Sequence, residues 1–315
     1  MAGFDVASGK RVSNDGGLPV KIVRTVSSAA SLSGELRRPL ILVPTMGALH
    51  AGHISLMKKA RKLAGRTGSV VASIFVNPTQ FGPNEDFSRY PRTFLRDCQL
   101  CREAGVDVIF HPEAEGMYGP GYSTYVNEEQ VSGVLCGKSR PGHFRGVCTV
   151  VLKLFNIVRP DIAVFGEKDY QQVAVLRRMT ANLNVAVRIV TGSTVRERDG
   201  LALSSRNAFL SPEERAQAPV IRRALLLARD AVYGRPSDLV KLVRRKIATA
   251  SLAKIDYLEV LDAKTLEAPG AENRELVVAC AVFFGKTRLI DNVRRKVRRG
   301  NSKSEIRNSK GEKRG

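Results

Sequence analysis

Five short apolar runs in the first 190 residues constrain the fold more than any other feature of this chain. They are rich in Val and Ile and lack the polar alternation of a strand with one solvent-facing side. Segments with helical periodicity lie between them. This alternation predicts an α/β fold with a doubly wound parallel sheet covered by helices on both faces. The predicted strands are PLILV (39–43), SVVASIFV (69–76), VDVIF (106–110), DIAVF (161–165) and VAVRIV (185–190).

Three helical segments in this region carry apolar stripes, so each has one face to bury. One stripe contains Cys98 and Cys101, a CxxC pair of the kind also found in zinc and redox sites. Because the pair lies on an apolar face and no second pair follows at ligand spacing, we expect both thiols in the core. The stripes are Leu56, Ala60, Leu63 and Ala64; Phe94, Leu95, Cys98 and Cys101; and Val147, Val150, Val151, Leu154 and Val158.

The pattern changes near Thr194. Residues 211–234 and 237–250 have the periodicity of amphipathic helices, and the strand-like segments KIDYLEVLD and ELVVACAVFFG follow them. Helices followed by strands predict a smaller C-terminal domain of the α+β class. The predicted organisation is a flexible leader at 1–20, a Rossmann-like domain at 21–194, the α+β domain at 195–292 and a disordered basic tail at 293–315.

The predicted tail carries much of the net charge of +21. It holds ten Lys or Arg residues and two Glu among few apolar ones, a composition typical of disorder. We interpret it as a solvated segment with weak attraction for polyanions, and no other binding to nucleic acid is expected. The remaining positive charge of the chain suits a site for a polyphosphate.

Composition also limits the class of protein and its compartment. No apolar run reaches the roughly 18 residues that a membrane span needs, so we expect no membrane association. The N-terminus has no apolar stretch like that of a secretory signal. Five cysteines, an odd number at irregular spacing, favour a reducing compartment over a disulfide scaffold. We therefore predict a cytoplasmic enzyme.

The sequence PTMGALHAGH, residues 44–53, connects the first predicted strand to a helix. At the carboxyl edge of a parallel sheet such a turn meets ligands, and the amides at the helix start point towards an anion. Gly47 and Gly52 allow a sharp turn and a close approach of the ligand. His50 and His53 can donate hydrogen bonds to phosphate oxygens and, when protonated, offset negative charge.

Two other interpretations of this turn stay open. One is a tight turn with incidental histidines. The other is an HxxH metal pair, which is weakened because the chain has only two further histidines to complete such a site. A P-loop is excluded because no GK[ST] follows.

Five motifs in order carry a resemblance to a known family. PTMGALHAGH resembles the HxGH signature of the nucleotidyltransferase superfamily, which includes the class I aminoacyl-tRNA synthetases. Together with four further stretches it is similar to the pantothenate synthetase family, the pantoate–β-alanine ligases. The resemblance extends from about Lys21 to Asn292. The four stretches are VNPTQFGPNEDFSRYPR, RPGHFRGV, FGEKDYQQ and DGLALSSRN.

The resemblance implies an ATP-dependent ligase of pantothenate biosynthesis. Pantoate would attack the α-phosphorus of ATP to give pantoyl adenylate and pyrophosphate, and the amine of β-alanine would then displace AMP. This chemistry needs aligned reactants and neutralised phosphate charge, and it needs no covalent enzyme nucleophile. The resemblance also implies Mg²⁺, a homodimer formed through the N-terminal domain, and binding of nucleotide and pantoate within residues 21–194.

By resemblance, Gln80 and Gln172 bind pantoate from opposite sides, and Gln80 later lies near β-alanine. Asn77 emerges at the same strand end, and amides can donate to and accept from the carboxylate and hydroxyls of pantoate. An ordinary turn at Asn77 and Pro78 is the alternative. In NEDFSRYPR, Tyr90 belongs to a flexible cover that would exclude water from the reactive mixed anhydride.

We rank His53 first for catalysis, followed by His50, Lys168 and Arg206. The family's counterpart of His53 is described as a proton donor, but we favour stabilisation of charge in the transition state because an ionised carboxylate has no proton to lose. Lys168 would bridge phosphates as a point charge, and Arg206 would contact the β- and γ-phosphates. The predicted ATP-binding residues are Pro44, Thr45, Met46, Gly47, Ala48, Leu49, His50, Ala51, Gly52, His53, Gly166, Glu167, Lys168, Asp169, Val195, Leu203, Ser204, Ser205 and Arg206.

Some roles stay open at this point. We assign Arg140, His143 and Arg145 of RPGHFRGV to attraction of substrate or pyrophosphate, with a structural helix entry as the alternative. Asp169 could accept a hydrogen bond from ribose or help to hold Mg²⁺, and the metal ligands are otherwise not identified. The base for the attack of β-alanine is also not identified.

Two rival functions make different demands on the sequence. A different nucleotidyltransferase would share the HxGH signature but would have no need for the paired Gln80 and Gln172. A nucleic-acid-binding protein would interleave basic residues with aromatic ones. Aromatic residues make up only 6% of this chain and tryptophan is absent, which favours the ligase.

Overall fold

The computed structural model describes residues 20–83, 85–231, 235–270 and 272–297. The N-terminal part is built on six parallel strands: β1 (Lys21–Val23), β2 (Leu40–Thr45), β3 (Ser69–Ile74), β4 (Val108–Phe110), β5 (Ile162–Gly166) and β6 (Arg188–Gly192). Their order is β1-β4-β3-β2-β5-β6, so the chain winds outwards from β2 in both directions. The predicted doubly wound parallel sheet is confirmed.

All five predicted strands form, with bounds that shift by up to three residues. The short edge strand β1 was not predicted, because three residues are too few to show a pattern. No helix within the described ranges is both long and apolar enough to cross a membrane. The helices of this part are α1 (Val26–Glu35), α2 (Ala51–Ala64), α3 (Phe94–Glu103), α4 (Ala114–Met117), α5 (Cys136–Ser139), α6 (His143–Val158) and α7 (Tyr170–Asn182).

Strand β2 shows why the apolar runs have no polar alternation. Leu40 and Leu42 pack in the core beside α1, α6 and α7. Ile41 and Val43 pack in the core beside α2 and α3, and all four side chains are fully buried. Successive side chains of a strand point to opposite faces, so a sheet covered on both sides needs apolar residues at every position. Burial of each such side chain contributes roughly 1.5–3 kcal/mol.

Helix α3 departs from the predicted stripe at one position. Cys98 and Cys101 are buried free thiols, as predicted, and burial raises their pKa values to about 11 and about 12. Leu95 was placed on the same stripe, which is wrong: it is 70% exposed, and Asp97 is 1% exposed instead. With about 3.6 residues per turn, Phe94 shares a face with positions 97, 98 and 101, whereas position 95 lies off that face.

The C-terminal part is of the α+β class, as predicted, and its three strands form an antiparallel sheet. The segment 211–234 was expected as one helix but is divided at Ala218 and Pro219, because proline has no N–H to continue the helical bonding. Residues 232–234 lie outside the described chain. The elements are α8 (Pro212–Gln217), α9 (Val220–Asp230), α10 (Pro236–Ile247), β7 (Ala253–Asp262), β8 (Glu275–Phe284) and β9 (Thr287–Lys296).

Strand β9 extends the C-terminal part beyond its predicted end. The boundary was placed at Asn292, but β9 continues to Lys296 with Val293 and Arg295 buried. The guanidinium of Arg295 donates to the carbonyl of Ala228 at 2.7 Å. Every second residue of TRLIDNVRRK is buried, and two of the buried residues are charged, which hid the alternation. The predicted leader up to residue 19 and tail from residue 298 lie outside the described residues.

The winding of the sheet creates a crevice between β2 and β5. Strand β3 pairs with one side of β2 and β5 with the other, so the loops that leave β2 and β5 diverge. Ligands of doubly wound proteins bind at this point, outside the carboxyl ends of the strands. The two loops contain GALHAGH and GEKD.

Helix α6 lies close to the 3-10 turn Pro78–Gln80 because Gly146 has no side chain. A Cβ at Gly146 would lie 2.3 Å from the carbonyl oxygen of Thr79. We expect Gly146→Ala to lower the free energy of unfolding by about 1–3 kcal/mol, since the two backbones would have to separate. Urea denaturation measures this loss.

The matched control is Gly116→Ala in the short helix α4, where an added Cβ would meet nothing within 4 Å. We expect this control to leave the free energy of unfolding unchanged or to raise it by up to about 1 kcal/mol, because alanine favours the helix over glycine. Equal losses in the two variants would contradict the account of close backbone packing.

Candidate active site

A cavity of about 210 Å³ lies at the carboxyl ends of β2 and β5, and all five sequence motifs contribute to its wall. It adjoins a cleft of about 640 Å³ between the two parts of the chain. The predicted residues that line the smaller cavity are Pro44, Thr45, Met46, His50, Gly52, His53, Asn77, Gln80, Gly166, Lys168, Asp169, Gln172, Val195, Leu203, Ser204, Ser205 and Arg206.

Five predicted ATP-binding residues do not line this cavity. Leu49 is part of the core beside α2, and Ala51 is exposed. The side chain of Glu167 faces a separate groove. The complete set is Gly47, Ala48, Leu49, Ala51 and Glu167.

The two histidines of the HxGH turn are oriented by the backbone at the start of α2. Nδ1 of His50 accepts a hydrogen bond from the N–H of Gly52 at 3.1 Å, and Nδ1 of His53 accepts from the N–H of His50 at 3.3 Å. A neutral imidazole that accepts at Nδ1 carries its proton on Nε2. Both rings therefore keep an Nε2–H donor. Gly52 is required because a Cβ there would lie 2.9 Å from Nδ1 of His50.

Burial keeps both rings neutral. Loss of solvent, assisted by Lys168, lowers the pKa of His50 to about 4. Loss of solvent, assisted by His50 and Lys168, lowers the pKa of His53 to about 3. The ring centroids are only 4.1 Å apart, so two charged rings would repel each other. At these pKa values the two rings are neutral hydrogen-bond donors near pH 7. A role for protonated imidazoles beside a bound anion stays a prediction, because a nearby negative charge raises the pKa of an imidazole.

The turn before α2 is held by the carboxylate of Asp97, which was not predicted as a site residue. Asp97 of α3 accepts hydrogen bonds from the N–H groups of Ala48 at 3.0 Å and Leu49 at 2.8 Å. Gly47 and Ala48 have φ angles of +82° and +48°, and the carboxylate stabilises this left-handed turn. These amides and the two bonded to imidazoles already have partners. The turn therefore offers imidazole N–H groups to an anion. The N–H of Ala51, the first residue of α2, has no partner within the described chain, so a role for the helix amides stays a prediction.

Asn77 was expected to bind pantoate directly, but its side chain is bonded to Gln80 and to other groups of the protein. Asn77 is 1% exposed, and its Nδ2 donates to Oε1 of Gln80 at 3.0 Å and to the carbonyl of Gly146 at 3.2 Å. Its Oδ1 accepts from the hydroxyl groups of Tyr118 at 2.7 Å and Thr79 at 2.9 Å. The polar atoms of Asn77 are thus used within the protein. Tyr118 was not singled out from the sequence.

The charged side chains of the GEKD turn after β5 lie on two sides of the turn, two of them in the cavity wall and one in a separate groove. Lys168 and Asp169 line the cavity, and the Lys168 ammonium has no hydrogen-bond or ion-pair partner among the described residues. Glu167 faces away from it and accepts from the hydroxyl of Thr191 at 3.1 Å. Asn292 of β9 donates to the carbonyls of Glu167 at 3.0 Å and Lys168 at 2.9 Å, so the C-terminal sheet holds this turn.

Arg206 is paired with a carboxylate. Its Nε and Nη2 each donate to Asp86 at 2.9 Å. The hydroxyl of Tyr90 lies 3.2 Å from Oγ of Ser205. These contacts join the segment 85–92, expected as a cover, to the SSRN loop. Nη1 of Arg206 has no partner among the described residues and can still donate to an anion in the cavity, so the contact of Arg206 with phosphates stays a prediction.

The residues of RPGHFRGV form a structural network. Arg140 donates to both carboxylate oxygens of Glu85 at 2.6 Å and to Nε2 of His143 at 2.9 Å. His143 then donates from Nδ1 to the carbonyl of Gln80 at 2.8 Å, and burial lowers its pKa to about 3. Arg145 lies 3.6 Å from the centroid of a tyrosine ring. The geometry favours the structural alternative for this motif over direct attraction of substrate.

The residues present fit a magnesium ion carried by a nucleotide. Among the described residues, no group of three or more His, Cys, Asp or Glu side chains could hold a metal ion. Mg²⁺ is commonly bound by one or two carboxylates together with substrate phosphates. Asp169 is a carboxylate on the cavity wall and forms no ion pair within the described chain.

The neutral imidazoles predict how stability depends on pH. The pKa of His50 is about 4 and that of His53 about 3 in the folded chain, against an ordinary value of 6.5. Between these values the unfolded chain binds more protons, so the free energy of unfolding falls as the pH is lowered from 6.5. The loss is at most about 1.4 kcal/mol per pH unit and ring.

We expect the double variant His50→Gln/His53→Gln to have a smaller loss of stability between about pH 7 and pH 5 than the wild type. Urea denaturation at the two pH values measures it. An unchanged pH dependence would contradict the lowered pKa values.

The fold and the cavity together define a nucleotide-binding α/β enzyme of the HxGH type. Its ligand crevice lies at the reversal of a doubly wound sheet, and two imidazoles and a lysine line it. A family model described as Pantoate-beta-alanine ligase matches residues 21–294. The chain belongs to the pantoate–β-alanine ligase family.

Relatives of known name agree with this membership. The pantothenate synthetase of Syntrophotalea carbinolica is 54% identical over 273 residues, which is 86% of this chain and 95% of the relative. The pantothenate synthetase of Acetivibrio thermocellus is 51% identical over 280 residues, which is 87% of this chain and 99% of the relative.

Solved structures agree as well. The pantothenate synthetase of Thermus thermophilus has a TM-score of 0.82 at 44% identity, covering 86% of this chain and 98% of that one. The pantoate–β-alanine ligase of Francisella tularensis, complexed with beta-gamma ATP and β-alanine, has a TM-score of 0.71 at 34% identity. It covers 87% of this chain and 97% of that one.

Proposed function

We propose that this chain condenses pantoate with β-alanine to give pantothenate, consuming ATP and releasing AMP and pyrophosphate through pantoyl adenylate. Family membership and the ligands of the Francisella relative support the reaction. The observation that carries the assignment to this site is one cavity that contains two imidazole donors, the unpaired Lys168 and the amides of Gln80 and Gln172.

In the first half-reaction, a carboxylate oxygen of pantoate bonds to the α-phosphorus of ATP, and the bond from that phosphorus to the leaving pyrophosphate breaks. Negative charge grows on the phosphate oxygens. We assign Nε2–H of His50 and His53 and the ammonium of Lys168 to these oxygens, because donors already in place need no reorganisation. With a pKa of about 3, His53 acts as a hydrogen-bond donor and not as an acid near neutral pH.

In the second half-reaction, the amine of β-alanine attacks the acyl carbon of pantoyl adenylate and AMP leaves. We assign Gln80 and Gln172 to the pantoyl group. Nδ2 of Asn77 donates to the side-chain amide oxygen of Gln80, and Nδ1 of His143 donates to the backbone carbonyl of Gln80. Both contacts orient Gln80, which supports that assignment. Tyr90 and its neighbours are bound to the SSRN loop beside the cavity, and such a cover slows hydrolysis of the mixed anhydride.

The proposal includes Mg²⁺ with ATP, a homodimer and a cytoplasmic location. The carboxylate of Asp169 on the cavity wall supports the binding of Mg²⁺ with ATP. Tyr118, Tyr122 and Tyr125 stack edge to face on the N-terminal part, and tyrosine-rich surfaces are common at interfaces, which supports the second. The free thiols of all five cysteines support a reducing compartment. Dependence on Mg²⁺, light scattering after size exclusion and cell fractionation test the three features in turn.

The reaction is tested by measuring AMP with ATP, Mg²⁺, pantoate and β-alanine present, and with each omitted in turn. We expect AMP in excess over enzyme only in the complete mixture. With β-alanine omitted, pantoate should still support exchange of pyrophosphate into ATP. AMP formation that does not depend on pantoate, or its absence from the complete mixture, would overturn the proposal.

A further inference from the structure

A second groove lies on the other side of the GEKD turn. It has a volume of about 620 Å³ and lies between α7, the end of β6 and the C-terminal part. Among the described residues, seven cationic side chains line this basic groove, against the single carboxylate of Glu167. The cations are Arg177, Arg178, Arg196, Arg222, Arg229, Lys264 and Arg294.

Three of these cations are unpaired. Within the described part of the chain, the side chains of Arg177, Arg222 and Lys264 make no hydrogen bond and no ion pair within 4 Å. The other four are held by neighbours: Arg178 by Gln130, Arg196 by Asp291, Arg229 by Asp230 and Arg294 by Glu275. The groove therefore concentrates positive charge that the protein itself does not neutralise.

The pKa of Arg222 shows the effect of the positive charge gathered in this groove. Partial burial and the nearby Arg196 lower its pKa, which means that its charge is unfavourable where it lies. An anion in the groove would relieve that repulsion. The hydroxyl groups of Thr194 and Thr265 also line the groove and can donate to an anion.

We propose that the basic groove binds a small molecule that carries two or more phosphate groups. Its volume lies in the range of about 300–1,000 Å³ that is typical of ligand pockets. Guanidinium groups match phosphate oxygens bidentately, and several cations around one groove suit a ligand with several negative charges. The apolar wall formed by Val173 and Ala174 accommodates the organic part of such a ligand.

This groove is distinct from the proposed ATP site. Of the lining residues that the structure describes, Thr194 is the one shared with the cavity that contains His50 and His53. The carboxylate of Glu167 and the ammonium of Lys168 lie on opposite sides of the GEKD turn. A phosphate-rich molecule can therefore occupy the groove without displacing the adenylation substrates.

The test is calorimetric titration of the full chain with inorganic tripolyphosphate at low salt. We expect two binding sites per wild-type chain and one in the groove variant Arg177→Gln/Arg222→Gln/Lys264→Gln. In the groove variant, the dissociation constant of tripolyphosphate at the basic groove should rise at least about tenfold, which equals about 1.4 kcal/mol of binding free energy. Unchanged binding in the groove variant would overturn the proposal.

The matched control, Lys62→Gln/Arg66→Gln/Lys241→Gln, removes three exposed cations elsewhere and should keep both sites. An equal loss in this control would show that net charge alone attracts the anion, and would also overturn the proposal. Both triple variants should keep ligase activity. An inactive wild type would instead contradict the proposed function and leave this binding test unaffected.

Hydrogen exchange of the wild type provides a measurement that needs no variant. With tripolyphosphate, amides of α7 and of residues 222–229 should gain protection at concentrations that fill the second site. Protection confined to residues 44–53 and 166–172 would mean that the anion binds only at the ATP site, and the proposal would fail.

Discussion

Replacing His53 by alanine should lower the rate of pantoate-dependent exchange between ATP and pyrophosphate by about 10²- to 10³-fold, with the fold intact. Nδ1 of His53 is held by the N–H of His50, so the direction of its Nε2–H is set before ATP binds. Without that donor, the charge that develops on the phosphates loses a partner in a site poor in water. The exchange rate at saturating ATP and pantoate measures the loss.

His53→Gln separates hydrogen bonding from proton transfer. Glutamine has an amide donor but no titratable proton, so we expect it to recover about tenfold of the loss seen with alanine. His111→Ala is the control, because His111 is bonded to the carbonyl of Ile74 and lies outside the cavity. Its activity should stay within about threefold of wild type. Activity of His53→Ala within that same limit would contradict the role.

Lys168→Ala should cause a loss of similar size, about 10²- to 10³-fold in kcat/KM for ATP. Lys168 is a cavity cation without a partner in the described chain, whereas Arg206 is already paired with Asp86. Its charge also lowers the pKa values of His50 and His53. The variant should therefore raise both imidazole pKa values, which NMR titration of the ring protons can measure.

Lys62→Ala is the matched control for this variant, since it removes an exposed lysine from α2. Its kcat/KM should stay within about threefold of wild type. Lys168→Arg keeps the charge but changes its shape, and we expect an intermediate loss. Equal losses for Lys62→Ala and Lys168→Ala, or unchanged imidazole pKa values, would contradict the assignment.

The parts of the fold and site that were predicted correctly depend on local spacing. The apolar runs show the parallel sheet because both faces of each strand are buried. The turn at residues 44–53 leads into a helix as predicted, because glycine allows a sharp turn within a few positions; α2 begins at Ala51 with His50 as its N-cap. The five motifs were found to line one cavity, since the carboxyl ends of parallel strands meet at one edge of a sheet.

The parts that were missed depend on partners distant in sequence. Asp97 binds a turn almost fifty residues earlier, yet its place on the stripe with Phe94, Cys98 and Cys101 was visible in the helical phase. The ion pair of Arg206 with Asp86 spans 120 residues, and no local signal indicates it. The buried charges of β9 hid a regular alternation, because Arg295 is buried through a long-range bond.

The sequence by itself determined the doubly wound sheet, the family and most residues that line the cavity at the carboxyl ends of β2 and β5, because these follow from periodicity and from motifs a few residues long. Only the tertiary structure decided the protonation of the imidazoles, the positioning role of Asn77 and the outward direction of Glu167. Burial and hydrogen-bond direction depend on which atoms meet in space. The basic groove likewise exists only where α7 packs against the C-terminal part, since its seven cations are scattered from Arg177 to Arg294 along the chain.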